Sequence, residues 1–248
     1  MLSRADALWP FSEASGILDN GCGPGPVMSR LIEDYGSVIP KSCTLTCADF
    51  SEPMIEVVVG NRERASADSV WKRVEAKVQN AMDLSEVEDG SQSHITAGWV
   101  YFMTPDPQKC LSESRRVLKT HGVLSLSSWE DSQWMKLMRT IGQVRPDLKL
   151  PELPKEWSSD AGVKTEMEKA GFWDVEAHRV HVQMHVESHE RLVEMILTKM
   201  PHMIALTKDM SEEEVVKTRE IMGKELKEMC PRTPGKLAGV SIVGVGRR

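Results

Sequence analysis

Short apolar runs alternate with stretches of helical period from Ile17 to Leu126. The pattern predicts strands near residues 17–20, 44–48, 77–80, 95–97 and 123–127, each followed by a helical or turn segment. Strands that alternate with helices argue for a parallel sheet covered on both faces. Residues 131–154 break this rhythm: Trp134, Met135 and Met138 are followed by Pro146, Pro151 and Pro154. That composition predicts a helix and an irregular connection outside the sheet. Residues 175–186 alternate, with Val180, Val182, Met184 and Val186 on one face and His181, Gln183 and His185 on the other. Ser188 opens a helix bearing Leu192, Val193, Met195, Ile196 and Met200. Ser211 and Glu214 form a capping box for a further helix striped by Val215, Met222, Leu226 and Met229, which Pro231 ends. Residues 237–245 are strand-like again. The expectation is a single domain over 1–248, with lid-like insertions at 131–160 and 187–233.

The stretch richest in chemistry is Ile17-Leu18-Asp19-Asn20-Gly21-Cys22-Gly23-Pro24-Gly25, with a helical run from Val27 to Tyr35 behind it. It predicts a strand, a tight glycine turn and a helix. Glycines there permit positive φ and a close approach of ligand to backbone. The helix N-terminus offers free N–H groups to an anionic or polar ligand. A phosphate loop needs Gly-x-x-x-x-Gly-Lys-Ser/Thr, and no Lys is present. A dinucleotide fingerprint needs Gly-x-Gly-x-x-Gly, and Pro26 occupies the third-glycine place. Asp19 points a negative charge toward the ligand, which suits an ammonium group better than a pyrophosphate.

Leu18-Asp19-Asn20-Gly21-Cys22-Gly23-Pro24-Gly25 resembles the first motif of class I S-adenosylmethionine-dependent methyltransferases, usually close to Leu-Asp-Leu-Gly-Cys-Gly-Thr-Gly. The Leu-Asp-Asn form is also similar to small-molecule methyltransferases of fungal secondary metabolism, including those that S-methylate gliotoxin-like dithiols. The resemblance continues in order. Leu45 to Met54 resembles the second strand and its acidic end, Asn80-Ala81-Met82-Asp83-Leu84 the Asp-Ala-x-Asp-Leu segment that reads adenine, and His94 to Trp99 the fourth strand. Arg115 to Gly122 resembles Arg-Val-Leu-Lys-Pro-Gly-Gly, and Ala170-Gly171-Phe172 the turn before the sixth strand. Departures are Asn20, Pro24, Asn80, Ser93-His94 in place of Phe-Asp, and Thr120-His121 in place of Pro-Gly.

The resemblance implies a Rossmann-like, doubly wound, seven-stranded, mostly parallel sheet with the last strand antiparallel, plus a helical lid insertion. It implies S-adenosyl-L-methionine as cofactor, held by Asp19, Gly21, Cys22, Gly23, Gly25, Asp49, Phe50, Met54, Asn80, Ala81, Met82, Gly98 and Trp99. Asp49 is placed on the ribose hydroxyls, where a carboxylate accepts from both. Ser51 is expected to cap the following helix, with Pro53 in its first turn. Asn80 is placed on the adenine amino group and Met82 on the ring face. Trp99 and Tyr101 fall where sulfonium and substrate meet, with cation–π attraction and plain hydrophobic contact both open. Trp134, Met138, Met195 and Met203 are expected on the substrate side of a lid. A fold relative that binds the cofactor without methyl transfer and an NAD-dependent oxidoreductase stay as alternatives.

The net charge of −6 argues against nucleic acid as substrate. The Asn-Pro-Pro-Tyr motif of base and protein amino methylation is replaced by Gly98-Trp99-Val100-Tyr101. No run is apolar enough to span a bilayer, and Met1 to Arg4 leads into no signal core. Five irregularly spaced cysteines, Cys22, Cys43, Cys47, Cys110 and Cys230, fit reduced thiols of a cytoplasmic protein, with Cys43 and Cys47 as packing residues. His178, His181, His185 and His189 do not converge as a metal site needs, so no metal is expected. His181 and His185 are the candidates for a general base. Residues 1–16 have room for one short helix where relatives carry one or two, so other elements, or a second subunit in a homodimer, are expected to cover the cofactor; a truncated gene model is the other expectation. The picture is of an enzyme acting on a small, largely apolar molecule at an O, S or N acceptor.

Overall fold

The computed structural model describes residues 1–150 and 152–248, with Pro201 and His202 described in backbone only. Pro151, part of the expected irregular connection, lies outside the described residues. The helices are α1 (Leu2–Leu8), α2 (Pro26–Tyr35), α3 (Glu52–Arg64), α4 (Pro107–Val117), α5 (Gln133–Arg139), α6 (Asp160–Lys169), α7 (His189–Lys199), α8 (Pro201–Thr207) and α9 (Glu212–Met229). The strands are β1 (Gly16–Asn20), β2 (Thr44–Asp49), β3 (Val74–Val78), β4 (Gln92–Gly98), β5 (Leu118–Ser132), β6 (Trp173–Val186) and β7 (Gly235–Arg247). They form one seven-stranded sheet in the order β3-β2-β1-β4-β5-β7-β6, mostly parallel with an antiparallel strand. The expected seven-stranded, mostly parallel sheet is the one found.

The chain divides into two compact units, Met1–Ser128 with Pro154–Arg179 and Ile242–Arg248, and Trp129–Leu153 with Val180–Ser241. This division cuts the expected insertions differently: residues 154–160 belong to the first unit, and 180–186 and 234–241 to the second. The reason lies in β5, β6 and β7, which each change unit along their length.

In the first unit Ile17, Leu45, Cys47 and Val74 from the strands meet Met28 and Leu31 of α2 and Val58 of α3. Each such side chain, taken fully from water, contributes roughly 1.5–3 kcal/mol. Parallel registers align β1 with β2 at Asp19 and Cys47, and with β4 at Asp19 and Thr96. The third strand lies at Val74–Val78 and not at 77–80, because buried Val74 pairs with Leu45 and Val78 with Asp49. Gln79 and Asn80 therefore fall in the turn beyond the strand. The fifth strand also outruns its expected length, keeping Asp131 and Ser132 within the strand and not in the connection.

The Ser93-His94 departure has a structural use. Ser93 Oγ lies 2.9 Å from both the Gly16 carbonyl and His94 Nδ1, and His94 Nε2 donates to the Trp9 carbonyl at 2.9 Å; in the neutral ring Nδ1 accepts the Ser93 hydroxyl. Its ring also stacks on Phe11 at 4.7 Å. Burial lowers the His94 pKa, as a neutral ring in this bridge requires. The pair thus ties the N-terminal segment to the start of β1 and β4.

In the second unit Leu137, Ile141, Ile196, Met203, Met222, Leu226 and Leu237 form a core. Ser188 caps α7 through its side chain, and Ser211 with Glu214 completes the expected capping box on α9. Among the described residues no helix is long and apolar enough to cross a membrane.

Candidate active site

The parallel register brings four strand ends of the first unit side by side, so the segments after β1, β2, β3 and β4 share one edge of the sheet. That edge is where an open α/β sheet leaves a crevice for ligands. The glycine turn sits on it. Gly21, Gly23 and Gly25 have φ of 74°, 52° and 86°, a region that favours glycine. The amides of Gly21 and Cys22 donate to the Ala48 carbonyl at 2.7 and 2.9 Å, which fastens the turn to β2.

The first two glycines serve different ends. A Cβ on Gly21 would lie 2.5 Å from Val100, so the fold itself requires that residue. A Cβ on Gly23 would meet nothing within 4 Å, so the Gly23 backbone faces open space. Asp49 steadies this position: its Oδ2 accepts the Gly23 amide at 2.8 Å and its Oδ1 the Ser51 amide at 2.9 Å. Ser51 occupies the N-cap of α3 as expected, but its side chain makes no capping bond; its own amide donates to Asp49 Oδ1.

Asp19 is fully buried. Its Oδ1 accepts from Thr96 Oγ1 at 2.7 Å, while Oδ2 has no hydrogen-bond partner. Burial pushes its pKa up to about 7, against the Thr96 bond and the Met28 amide, and the nearby Asp49 charge adds to the rise. An ionisable oxygen without a partner in such a place is costly, and a cationic ligand group would relieve the cost.

The other expected cofactor residues follow the same strand ends. Phe50 is 77% exposed directly after Asp49, and Met54 is half-buried in the first turn of α3. In the turn after β3, Asn80 is exposed, Ala81 buried and Met82 half-buried. Asn80 Oδ1 accepts the Met82 amide at 2.9 Å, so this side chain shapes its own turn. Gly98 closes β4. Trp99 follows with φ of 57°, an unusual conformation for an aromatic residue, and its amide donates to Ser127 Oγ at 3.1 Å. Cys22 and Cys47 are both buried, and the Cys47 thiol is pushed up by its hydrogen bond with Cys22 and then by burial, so Cys47 stays a packed, protonated thiol.

Three of the expected substrate residues are corrected. Tyr101 is buried, and its hydroxyl is occupied by Asn20 Nδ2 at 3.0 Å and Ser114 Oγ at 2.6 Å. It belongs to the framework, and it explains the Asn20 departure as a polar tie between β1 and α4. Within the second unit Met203 is fully buried in the core, and Trp134 is buried edge-on against Trp129 at 4.9 Å, so neither has a face to offer. Met138 is half-buried there and Met195 is 38% exposed on α7. His181 and His185 stand exposed on β6, whereas His178 pairs with Glu176 and His189 with the Cys230 carbonyl. Thr96 is the partner of Asp19 that sequence reasoning missed; their pairing across β1 and β4 was not visible in either segment alone.

Residues 18–126 match the family model of the methyltransferase domain. Methyltransferase ucsB of Acremonium sp is 42% identical over 251 residues, covering 100% of this chain and 87% of the relative. Methyltransferase tpcH of Aspergillus fumigatus is 32% identical over 175 residues, covering 67% and 60%. The acetylaranotin bis-thiomethyltransferase of Aspergillus terreus is 25% identical over 193 residues, covering 75% and 64%. Among solved structures, the Haemonchus contortus phosphoethanolamine N-methyltransferase 2 bound to S-adenosylhomocysteine superposes with a TM-score of 0.55 at 16% identity, covering 100% of this chain and 52% of that one. The MccD protein gives a TM-score of 0.56 at 15% identity, covering 96% and 91%. With a glycine turn, an acid at the end of each of the first two strands and a full-length relative at 42% identity, the chain belongs to the class I S-adenosylmethionine-dependent methyltransferases of the fungal secondary-metabolism type.

Proposed function

We propose that the strand ends of the first unit hold S-adenosyl-L-methionine and direct its methyl group to a small, largely apolar acceptor. The observation that carries this reading is the pair formed by the open Gly23 backbone and the unpartnered Asp19 Oδ2. The first leaves room for a ligand against the main chain; the second asks for a cation. Asp19, fully buried behind the turn, would act on the ammonium group of the cofactor through its charge. Asp49 gives each oxygen to one backbone amide and keeps lone pairs for the two ribose hydroxyls. Asn80, Ala81 and Met82, with Phe50 and Met54, would frame adenine. Gly98 and Trp99 would stand at the sulfonium.

When bound, this cofactor supplies an electrophilic methyl carbon, and the protein's part is orientation and exclusion of water. The Ser127 bond fixes the Trp99 backbone where an aromatic face favours a cation. A thiol acceptor suits the site best, because a thiol needs little help from a base. The thiomethyltransferase name of the Aspergillus terreus relative supports that choice. Five buried free cysteines support a reducing, cytoplasmic setting.

Isothermal titration with S-adenosylhomocysteine and with NAD tests the cofactor. Mass spectrometry of small dithiols, phenols and amines incubated with S-adenosylmethionine tests the acceptor. Tight binding of S-adenosylhomocysteine and a mass gain on the dithiol are expected. Binding of NAD in its place, or cofactor binding with no methylated product from any acceptor class, would overturn the reading.

A further inference from the structure

The connection from β3 to β4 has to cross two strands, β2 and β1, in the sheet order β3-β2-β1-β4. Residues 79–91 make this crossing without any helix. Three strand spacings are about 14 Å, so an irregular segment of this length needs anchorage from elsewhere. The last turns of α4 supply it. Glu113, a buried carboxylate, accepts the Leu84 amide through Oε2 at 2.9 Å. Arg116 donates from Nη2 to the Leu84 carbonyl at 2.7 Å and from Nη1 to the Val87 carbonyl at 3.1 Å, and it also bonds Asp89. Its own carbonyl accepts the Gly90 amide at 3.1 Å. The two side chains lock each other: Arg116 Nε and Nη2 reach Glu113 Oε1 and Oε2 at 3.1 and 2.9 Å. Leu84 is fully buried between these bonds.

Leu84 ends the same segment that begins at Asn80. Between them the Asp83 amide donates to the Asn80 carbonyl at 2.9 Å, so Asn80 to Asp83 is one hydrogen-bonded turn and Leu84 follows it directly. We infer that Glu113 and Arg116 are positioning residues for the base-reading turn, setting the place of Asn80, Ala81 and Met82 from the opposite end of that turn. The inference rests on the proposed placement of adenine at this turn. A guanidinium suits the task because its rigid fork serves two carbonyls and two carboxylates at once, which an ammonium does not match. The Arg116 bond also holds the Glu113 carboxyl below its ordinary range, so the lock stays ionised at neutral pH.

The test is base selectivity, since a merely structural role would weaken all ligands alike. Dissociation constants for S-adenosylhomocysteine and S-inosylhomocysteine are measured on the full chain by titration calorimetry, with thermal midpoints for each variant. The wild type is expected to prefer the adenosyl ligand by roughly tenfold, the worth of one good hydrogen bond. Arg116→Ala and Glu113→Ala should bring that ratio close to one. Glu113→Gln, which keeps an acceptor for the Leu84 amide, should retain part of it. A ratio unchanged in both alanine variants overturns the inference, and so does an equal loss for both ligands. If Arg116→Ala does not fold, the Glu113→Ala and Glu113→Gln pair decides. Asn80→Ala separates the two levels. If the wild type shows no preference, or Asn80→Ala keeps it, the placement of adenine fails first and takes the inference with it.

Discussion

Asp49 Oδ2 accepts the Gly23 amide at 2.8 Å, joining the end of the second strand to the middle of the glycine turn. One carboxylate therefore shapes the open part of the turn and still has lone pairs for a ligand diol. Asp49→Ala removes both roles. It should weaken S-adenosylhomocysteine binding by about 1.5–3 kcal/mol, the range for hydrogen bonds with a charged partner. Calorimetry checks this, and an unchanged affinity would mean that the acid only orders the Gly23 and Ser51 amides.

The glycines of the turn should separate folding from binding. Gly21→Ala forces a Cβ to 2.5 Å from Val100 and into a strained φ, so it should lower the thermal midpoint markedly. Gly23→Val meets no protein atom at its Cβ, so only its φ of 52° strains it; it should lower the thermal midpoint less than Gly21→Ala while abolishing S-adenosylhomocysteine binding. Circular dichroism and titration on the two variants give the comparison. Normal binding by Gly23→Val would remove the ligand from the space beside that residue.

Asp19 makes the stability of the ligand-free protein depend on pH. Its pKa rises from 3.8 to about 7 on folding, so the native state holds this proton over a range where the unfolded chain has lost it. Its contribution to stability consequently falls as pH rises from about 4 to about 7, by a few kcal/mol in order of magnitude. Asp19→Asn keeps an oxygen for the Thr96 hydroxyl and cannot ionise. It should raise the thermal midpoint at pH 8, change it little at pH 4, and weaken cofactor binding. An equal shift at both pH values would show that ionisation of Asp19 is not the cause.

Much of this was legible in the sequence because it is local. The glycine turn, the acid ending β2, the Ser188 and Ser211 caps and the order of strands all depend on residues close along the chain. What was not legible depends on pairing between distant segments. Nothing near Tyr101 signals that Asn20 and Ser114 will claim its hydroxyl, and nothing near Leu84 signals Glu113. The third strand was misplaced toward Asn80 because Val78, Gln79 and Asn80 follow an apolar start, whereas register with β2 ends the strand at Val78. Methionines read as substrate-facing split by burial, which helical period alone does not resolve when both faces of a helix carry apolar residues.

Met203 and Met195 show that split in measurable form. Both lie in the second unit, yet Met203 is fully buried among Leu137, Ile196, Met222 and Leu226, and Met195 is 38% exposed. Replacing a buried methionine by a small side chain loses its transfer free energy and leaves a cavity, a cost of about 2–5 kcal/mol. A serine adds a hydroxyl that needs a partner in an apolar core. Met203→Ser should therefore lower the thermal midpoint by many degrees, whereas Met195→Ser should leave it nearly unchanged. Differential scanning calorimetry of the two variants decides. A tolerant Met203 would mean that this core relaxes around the cavity or admits water, and its place as a central packing residue would have to be given up.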